Sequence, residues 1–174
     1  NNRTYSSLPD VNETLILYKN FFVHGWYDII SGMTQEKAIQ IWIGGAADAL
    51  DTCDKLFISK KYHHALFFLH LALEKIIKAR YIFNLDESPP YIHNLKQIIA
   101  MAKIKTTDEE LKQLDEISEF NVSARYDDYK YEIYKRATAE YTGKWIKIGQ
   151  KLYEKYKQSL AWQAGKQSLA WQAG

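Results

Sequence analysis

The chain has 174 residues, 47% hydrophobic and 25% charged, and its 23 Lys and Arg against 21 Asp and Glu leave a formal net charge of +2. That is enough apolar material for one globular domain with a proper core, without disulfides or a structural metal. So even a balance excludes a global charge bias toward nucleic acid or membrane, though a local basic patch is compatible with it.

No apolar run approaches the ~20 residues that span a bilayer. The single cysteine, Cys53, reads as a small buried hydrophobe; it excludes an intrachain disulfide or a zinc ribbon and suits a reducing cytosol. The chain starts at Asn1 without Met and without a charged-then-apolar leader, which reads as a trimmed chain or part of a longer one. Residues 1–33 are expected to form an N-terminal extension, packed on the remainder or loosely attached. Asn1 to Asp10 is polar and carries Pro9. TLILYKNFFV, from Thr14 to Val23, is dense in aromatic and aliphatic residues with no clear period. A helix from Leu17 to Ile30 is the expectation, because nothing later offers strands to pair with; Ser31-Gly32 then breaks the chain.

Thr34 is placed to cap the next helix, with Gln35 and Glu36 at its positive end. Ile39, Trp42, Ile43, Ala46, Leu50, Cys53 and Phe57 form its apolar stripe. Gly44-Gly45 inside it costs roughly 1 kcal/mol per Gly relative to Ala, which predicts a neighbouring helix crossing closely there. A short turn near Ser59-Lys60 favours an antiparallel partner.

That partner, Lys61 to Phe83 (KYHHALFFLHLALEKIIKARYIF), is the centre of the chain. Tyr62, Ala65, Leu66, Leu69, Leu73, Ile76 and Ala79 recur at helical spacing, and Phe68, Leu71, Ala72 and Ile77 extend the apolar surface around most of the circumference. Such a helix must be surrounded. One narrow stripe differs: His63, Phe67, His70, Glu74 and Lys78 line up at spacings of three and four. It is either half of a site or part of a subunit contact.

Pro89-Pro90 forbids helix in the following segment. Asn94 can cap a third helix, Leu95 to Ala102. Thr107 with Glu110 forms a capping box for a fourth, Asp108 to Phe120. Asn121 to Tyr131 has no helical face and reads as an ordered loop. A last helix runs from about Ala137 to Tyr156, burying Tyr141, Trp145, Ile148, Leu152 and Tyr156. KQSLAWQAG then occurs twice without change, from Lys157 to Gly165 and from Lys166 to Gly174. Residues 157–174 therefore read as a duplicated tail of cloning origin, outside the 34–156 domain.

YHHALFFLHLALEKIIKA (Tyr62 to Ala79), PYIHNL (Pro90 to Leu95) and ARYD (Ala124 to Asp127), in this order, resemble the HEPN domain family over roughly Thr34 to Tyr156. These helical proteins are often encoded beside, or fused to, minimal nucleotidyltransferases. They also resemble the helical substrate-binding half of kanamycin-type nucleotidyltransferases. The resemblance implies an all-α, up-and-down bundle of about five helices, usually a homodimer, cytoplasmic, with a possible nucleotidyltransferase partner as in toxin–antitoxin pairs. The family's ribonucleases are metal-independent and use an Arg followed after four to six residues by a His. Arg125 stands at the matching place, but no His follows it anywhere in the chain, and Lys130 is a poor general base at its ordinary pKa.

The candidate residues each carry two readings. His70 and Glu74, four apart, are a structural hydrogen-bonded pair or two ligands of an incomplete metal site, the former favoured. His63-His64 reads as a half-exposed surface pair. His93 either covers the start of the third helix or faces the same cleft as His70. Arg125 and Asp127 either staple the loop to the bundle or, with Tyr126 as stacking surface, recognise phosphate and base. Lys75 and Lys78 add charge to a site or form a solvated face. The 13 tyrosines suit nucleotide stacking or, more simply, bundle packing. The reading is a nucleotide- or RNA-binding interaction module, non-catalytic and without cofactor or metal, with no membrane partner. The alternatives are an RNA endonuclease using a displaced base, His70 or His93, and a purely structural dimerisation domain.

Overall fold

The structure, a computed structural model, describes residues 34–122 and 135–172. The expected N-terminal helix from Leu17 to Ile30 and the Arg125-Tyr126-Asp127 motif lie outside the described residues. The elements described are helical: α1 (Gln35–Ile58), α2 (Tyr62–Leu85), α3 (Leu95–Met101), α4 (Asp108–Val122) and α5 (Ala139–Gln172). The fold is all-α, as the periodicity predicts.

Local rules set most of the ends. Helix α1 begins directly after Thr34, with Glu36 in its first turn. Two residues past its end, Lys60 lies in the left-handed region (φ 59°). There the Lys61 amide donates to the Leu56 carbonyl at 2.8 Å and the Lys60 amide to Phe57 at 3.0 Å, the paired bonds that close a helix C-terminus. Three residues of turn force α2 back along α1. The Gln35 Nε2 at the start of α1 accordingly donates to the Ile82 carbonyl near the end of α2, at 2.9 Å.

Helix α2 is the core. Ala65, Leu66, Leu69, Ala72, Leu73, Ile76, Ile77 and Ala79 are fully buried, and α1, α3, α4 and α5 all pack against it. Each such Leu or Ile contributes roughly 1.5–3 kcal/mol by leaving water. Phe67, Phe68 and Leu71 on the same helix stay partly exposed.

The seven-residue α3 is too short to hold itself, and side chains anchor both of its ends. Asn94 Oδ1 accepts from the Gln97 amide at 2.9 Å. Ser118 of α4 accepts from the Leu95 amide at 3.0 Å while donating to the Leu114 carbonyl at 2.7 Å. Asn84 of α2 donates to the Ala102 carbonyl at 2.7 Å. The Thr107–Glu110 capping box forms as expected, with reciprocal bonds of 2.9 and 3.2 Å.

Three expectations change. Helix α4 runs through Asn121 and Val122, which were read as loop; this places Asn121 on the helix face that also carries the buried Ile117 and Ser118. Helix α5 does not stop at Tyr156 but continues through the repeated segment to Gln172, and Leu160 is buried. Ala, Leu, Gln and Lys supply helix propensity there, and Gly165 alone does not break it. Finally, the close approach is not at Gly44-Gly45. A β-carbon on Gly44 would meet nothing within 4 Å, and one on Gly45 would meet only the mobile end of Lys75, Nζ at 2.9 Å. The tight crossing is at Gly149 of α5, where a β-carbon would stand 2.6 Å from Cδ1 of the fully buried Leu69.

Candidate functional site

The polar stripe of α2 lies in the interior. His70 is fully buried, and Glu74 and Lys78 are each 5% exposed. Two apolar neighbours cannot satisfy a carboxylate, and burial alone would drive Glu74 toward its neutral form. That pressure is outweighed by Lys78, through charge and a 2.8 Å hydrogen bond, and then by His70 and His93, so the carboxyl is held below its ordinary range. Lys78 is also 5.6 Å from the ring centroid of Trp42 on α1, a cation–π contact.

His93 closes the set from the segment preceding α3. Its Nδ1 lies 3.0 Å from Glu74 Oε2 and 3.1 Å from Oε1. Its backbone carbonyl accepts from His70 Nε2 at 2.9 Å, while His70 Nδ1 is 3.8 Å from Glu74 Oε2. So His70 and Glu74, one helical turn apart, grip the backbone and the ring of the same residue. The His70–Glu74 separation of 3.8 Å is longer than a hydrogen bond, and among the described residues no group of three or more potential metal ligands is gathered.

The outer side of this network opens on a hollow of about 250 Å³ lined by His93, Asn94, Asp115, Ser118, Glu119 and Asn121. The His93 side chain is 42% exposed, against 7% for Glu74. His93 precedes the α3 cap and lines a cleft, but not one shared with His70, which is fully buried. His70 and Lys78 point into the core and offer no surface to a ligand. Lys78 is neither a solvated charge nor a phosphate contact, because Glu74 takes its charge inside the bundle. His63 and His64 sit at the helix start, half-buried and exposed, with ring centroids 3.8 Å apart.

Sequence reasoning missed Asp115, Ser118, Glu119 and Asn121 as cleft residues. A signal existed: Ser118 and Asn121 interrupt the otherwise apolar face of Leu114, Ile117 and Phe120. Arg80 was also missed. It is 6% exposed, stacks 5.6 Å from the Phe83 ring centroid, and desolvation lowers its pKa.

A helical bundle built around a buried carboxylate–histidine–lysine set, with the His-Asn-Leu segment as its lid, defines a class of all-α domain. The HEPN domain family model matches residues 39–159. The chain belongs to the HEPN domain family, and that membership supports a nucleotide- or RNA-interacting module in general terms. No curated protein and no solved structure matches the chain. None of the helices, among the described residues, is long and apolar enough to cross a membrane.

Proposed function

We propose that the domain binds a nucleotide or single-stranded RNA at the cleft beside His93. The observation that carries this reading is the imidazole itself, held from inside by Glu74 and forming one wall of the hollow. Pockets for drug-sized ligands run from about 300 Å³ upward, so a hollow of about 250 Å³ suits one base or nucleoside. Asn94, Asn121, Asp115 and Glu119 offer the amide and carboxylate groups that pair with base edges and ribose hydroxyls. Two carboxylates make a poor seat for phosphate. That role is assigned, from the sequence motif, to Arg125 as bidentate donor with Tyr126 as stacking surface, Asp127 belonging to the same motif. Homodimerisation and a nucleotidyltransferase partner in the cytoplasm belong to the same reading and rest on family membership. The expectation that the module is non-catalytic rests on the missing histidine after Arg125.

The test is a titration of labelled single-stranded RNA and mononucleotides at two salt concentrations. Binding should weaken as salt rises, and Arg125→Ala should lose it with an unchanged melting transition. Absence of binding, or binding unaffected by Arg125→Ala, would favour a purely structural dimerisation domain.

A further inference from the structure

Between Lys144 and Gln158 helix α5 carries five lysines and one glutamate, in a chain whose formal net charge is only +2. Lys144, Lys147, Lys151 and Lys155 follow at spacings of three, four and four, which sets them in one row along the helix. All four are exposed. Two of them are engaged: Lys155 donates to both Glu110 oxygens at 2.6 Å, and Lys144 lies 5.7 Å from the Trp145 ring centroid. Among the described residues, Lys147 and Lys151 have no ion pair, hydrogen bond or ring contact. They border an open hollow of about 560 Å³, in which Gln150, Gln158 and Lys155 are further neighbours and Glu154 is the one carboxylate among the described residues.

Two free ammonium groups one helical turn apart, about 6 Å along the axis, suit an anion whose charge repeats in a line. A protein partner fits this face poorly. Interface cores are depleted in lysine and built on apolar or aromatic anchors, and a membrane surface likewise needs an apolar face to enter it. The exposed large hydrophobic residues among those described, Ile41, Ile58, Tyr91 and Met101, all lie on other elements. A phosphodiester backbone needs only charge and hydrogen-bond donors. We infer that α5 is a second contact for single-stranded nucleic acid, at which Lys147 and Lys151 each neutralise one phosphate and read neither base nor sugar. This contact is separate from the hollow beside His93. Helix α5 meets α4 at Glu110 and Glu116, whereas that hollow is bounded by Asp115 and Glu119. A mononucleotide seated there leaves the two lysines untouched, and a strand engages them.

The experiment titrates the full chain with a labelled single-stranded RNA of mixed sequence, and with the same oligonucleotide carrying 2′-deoxyribose throughout, over a series of salt concentrations. Lys147→Gln with Lys151→Gln should flatten the slope of log affinity against log salt by about 1.4, since each phosphate contact on a single strand contributes ~0.7. At about 50 mM salt that difference raises Kd about 50-fold, and the two proteins should converge near about 1 M. The flattening should be equal for the RNA and the deoxy copy. The melting transition should not move, because Gln keeps the helix propensity of Lys. Lys147→Arg with Lys151→Arg should keep the wild-type slope. Lys105→Gln with Lys112→Gln removes the same charge from exposed positions elsewhere and should leave the slope as it is. Equal flattening by that control pair would reduce the effect to net charge and overturn the inference. An unchanged slope in the Lys147 and Lys151 variant, or flattening with RNA alone, overturns it as well. Mononucleotides test the hollow separately: wild type and variant should bind them alike, and failure of both to do so overturns the reading of the hollow without touching α5.

Discussion

Glu74 Oε2 lies 3.0 Å from His93 Nδ1, joining the middle of α2 to a residue nineteen positions later in the chain. The bond fastens the start of α3 to the core and brings one edge of the cleft under control of a buried charge. Its strength depends on Glu74 staying ionised, and Lys78 provides for that from one turn further along α2.

Acid should weaken this fastening. The Glu74 carboxyl has a folded pKa below its ordinary 4.5, so its contribution to stability is present above about that pH and is lost as pH falls through the lower folded value. Glu74→Gln leaves Lys78 buried without its counter-ion and should cost about 3–5 kcal/mol at neutral pH. Urea melts between pH 3 and 7 check both statements: the gap between wild type and variant should narrow below pH 4.5.

Leu69→Asp should unfold the domain. Leu69 is fully buried under Gly149 of α5, and an unpaired carboxylate there costs several kcal/mol. Circular dichroism and a thermal melt decide it, and a cooperative melt with full helicity would show that the site tolerates charge.

The two kinds of helical glycine should respond in opposite directions to alanine. Gly44→Ala gains helix propensity with open space around it and should stabilise by up to about 1 kcal/mol. Gly149→Ala gains the same propensity but drives a methyl to 2.6 Å from Leu69 Cδ1, and overpacking of about 1–3 kcal/mol should outweigh it. Denaturant midpoints of the two variants provide the comparison.

Ser118→Ala should loosen α3 without unfolding the bundle. It removes the acceptor for the buried Leu95 amide, a loss of about 1–3 kcal/mol. Hydrogen exchange at Leu95 should accelerate by more than exchange at the fully buried Leu73 of α2, where the ladder is untouched.

Much of the fold was legible because its causes are local. The Asn94 cap and the Thr107–Glu110 box depend on residues three apart, so the sequence alone determines them once a helix forms. The apolar circumference from Tyr62 to Phe83 likewise announced a central helix, since spacing of three and four is a property of the chain itself. The alignment of His70, Glu74 and Lys78 on one stripe was equally visible. What covers that stripe was not. Periodicity says which residues share a face, whereas the arrival of His93 opposite Glu74 depends on how residues 86–94 close over nineteen positions of chain. Only the tertiary structure decided that Lys78 is a buried counter-ion rather than a solvated charge. It alone decided that Gly149, not Gly44-Gly45, is where helices crowd, and that Ser118 of α4 serves the first amide of α3. In each case the deciding partner lies far away in sequence, and its position is set by packing free energy summed over the whole bundle rather than by any local preference.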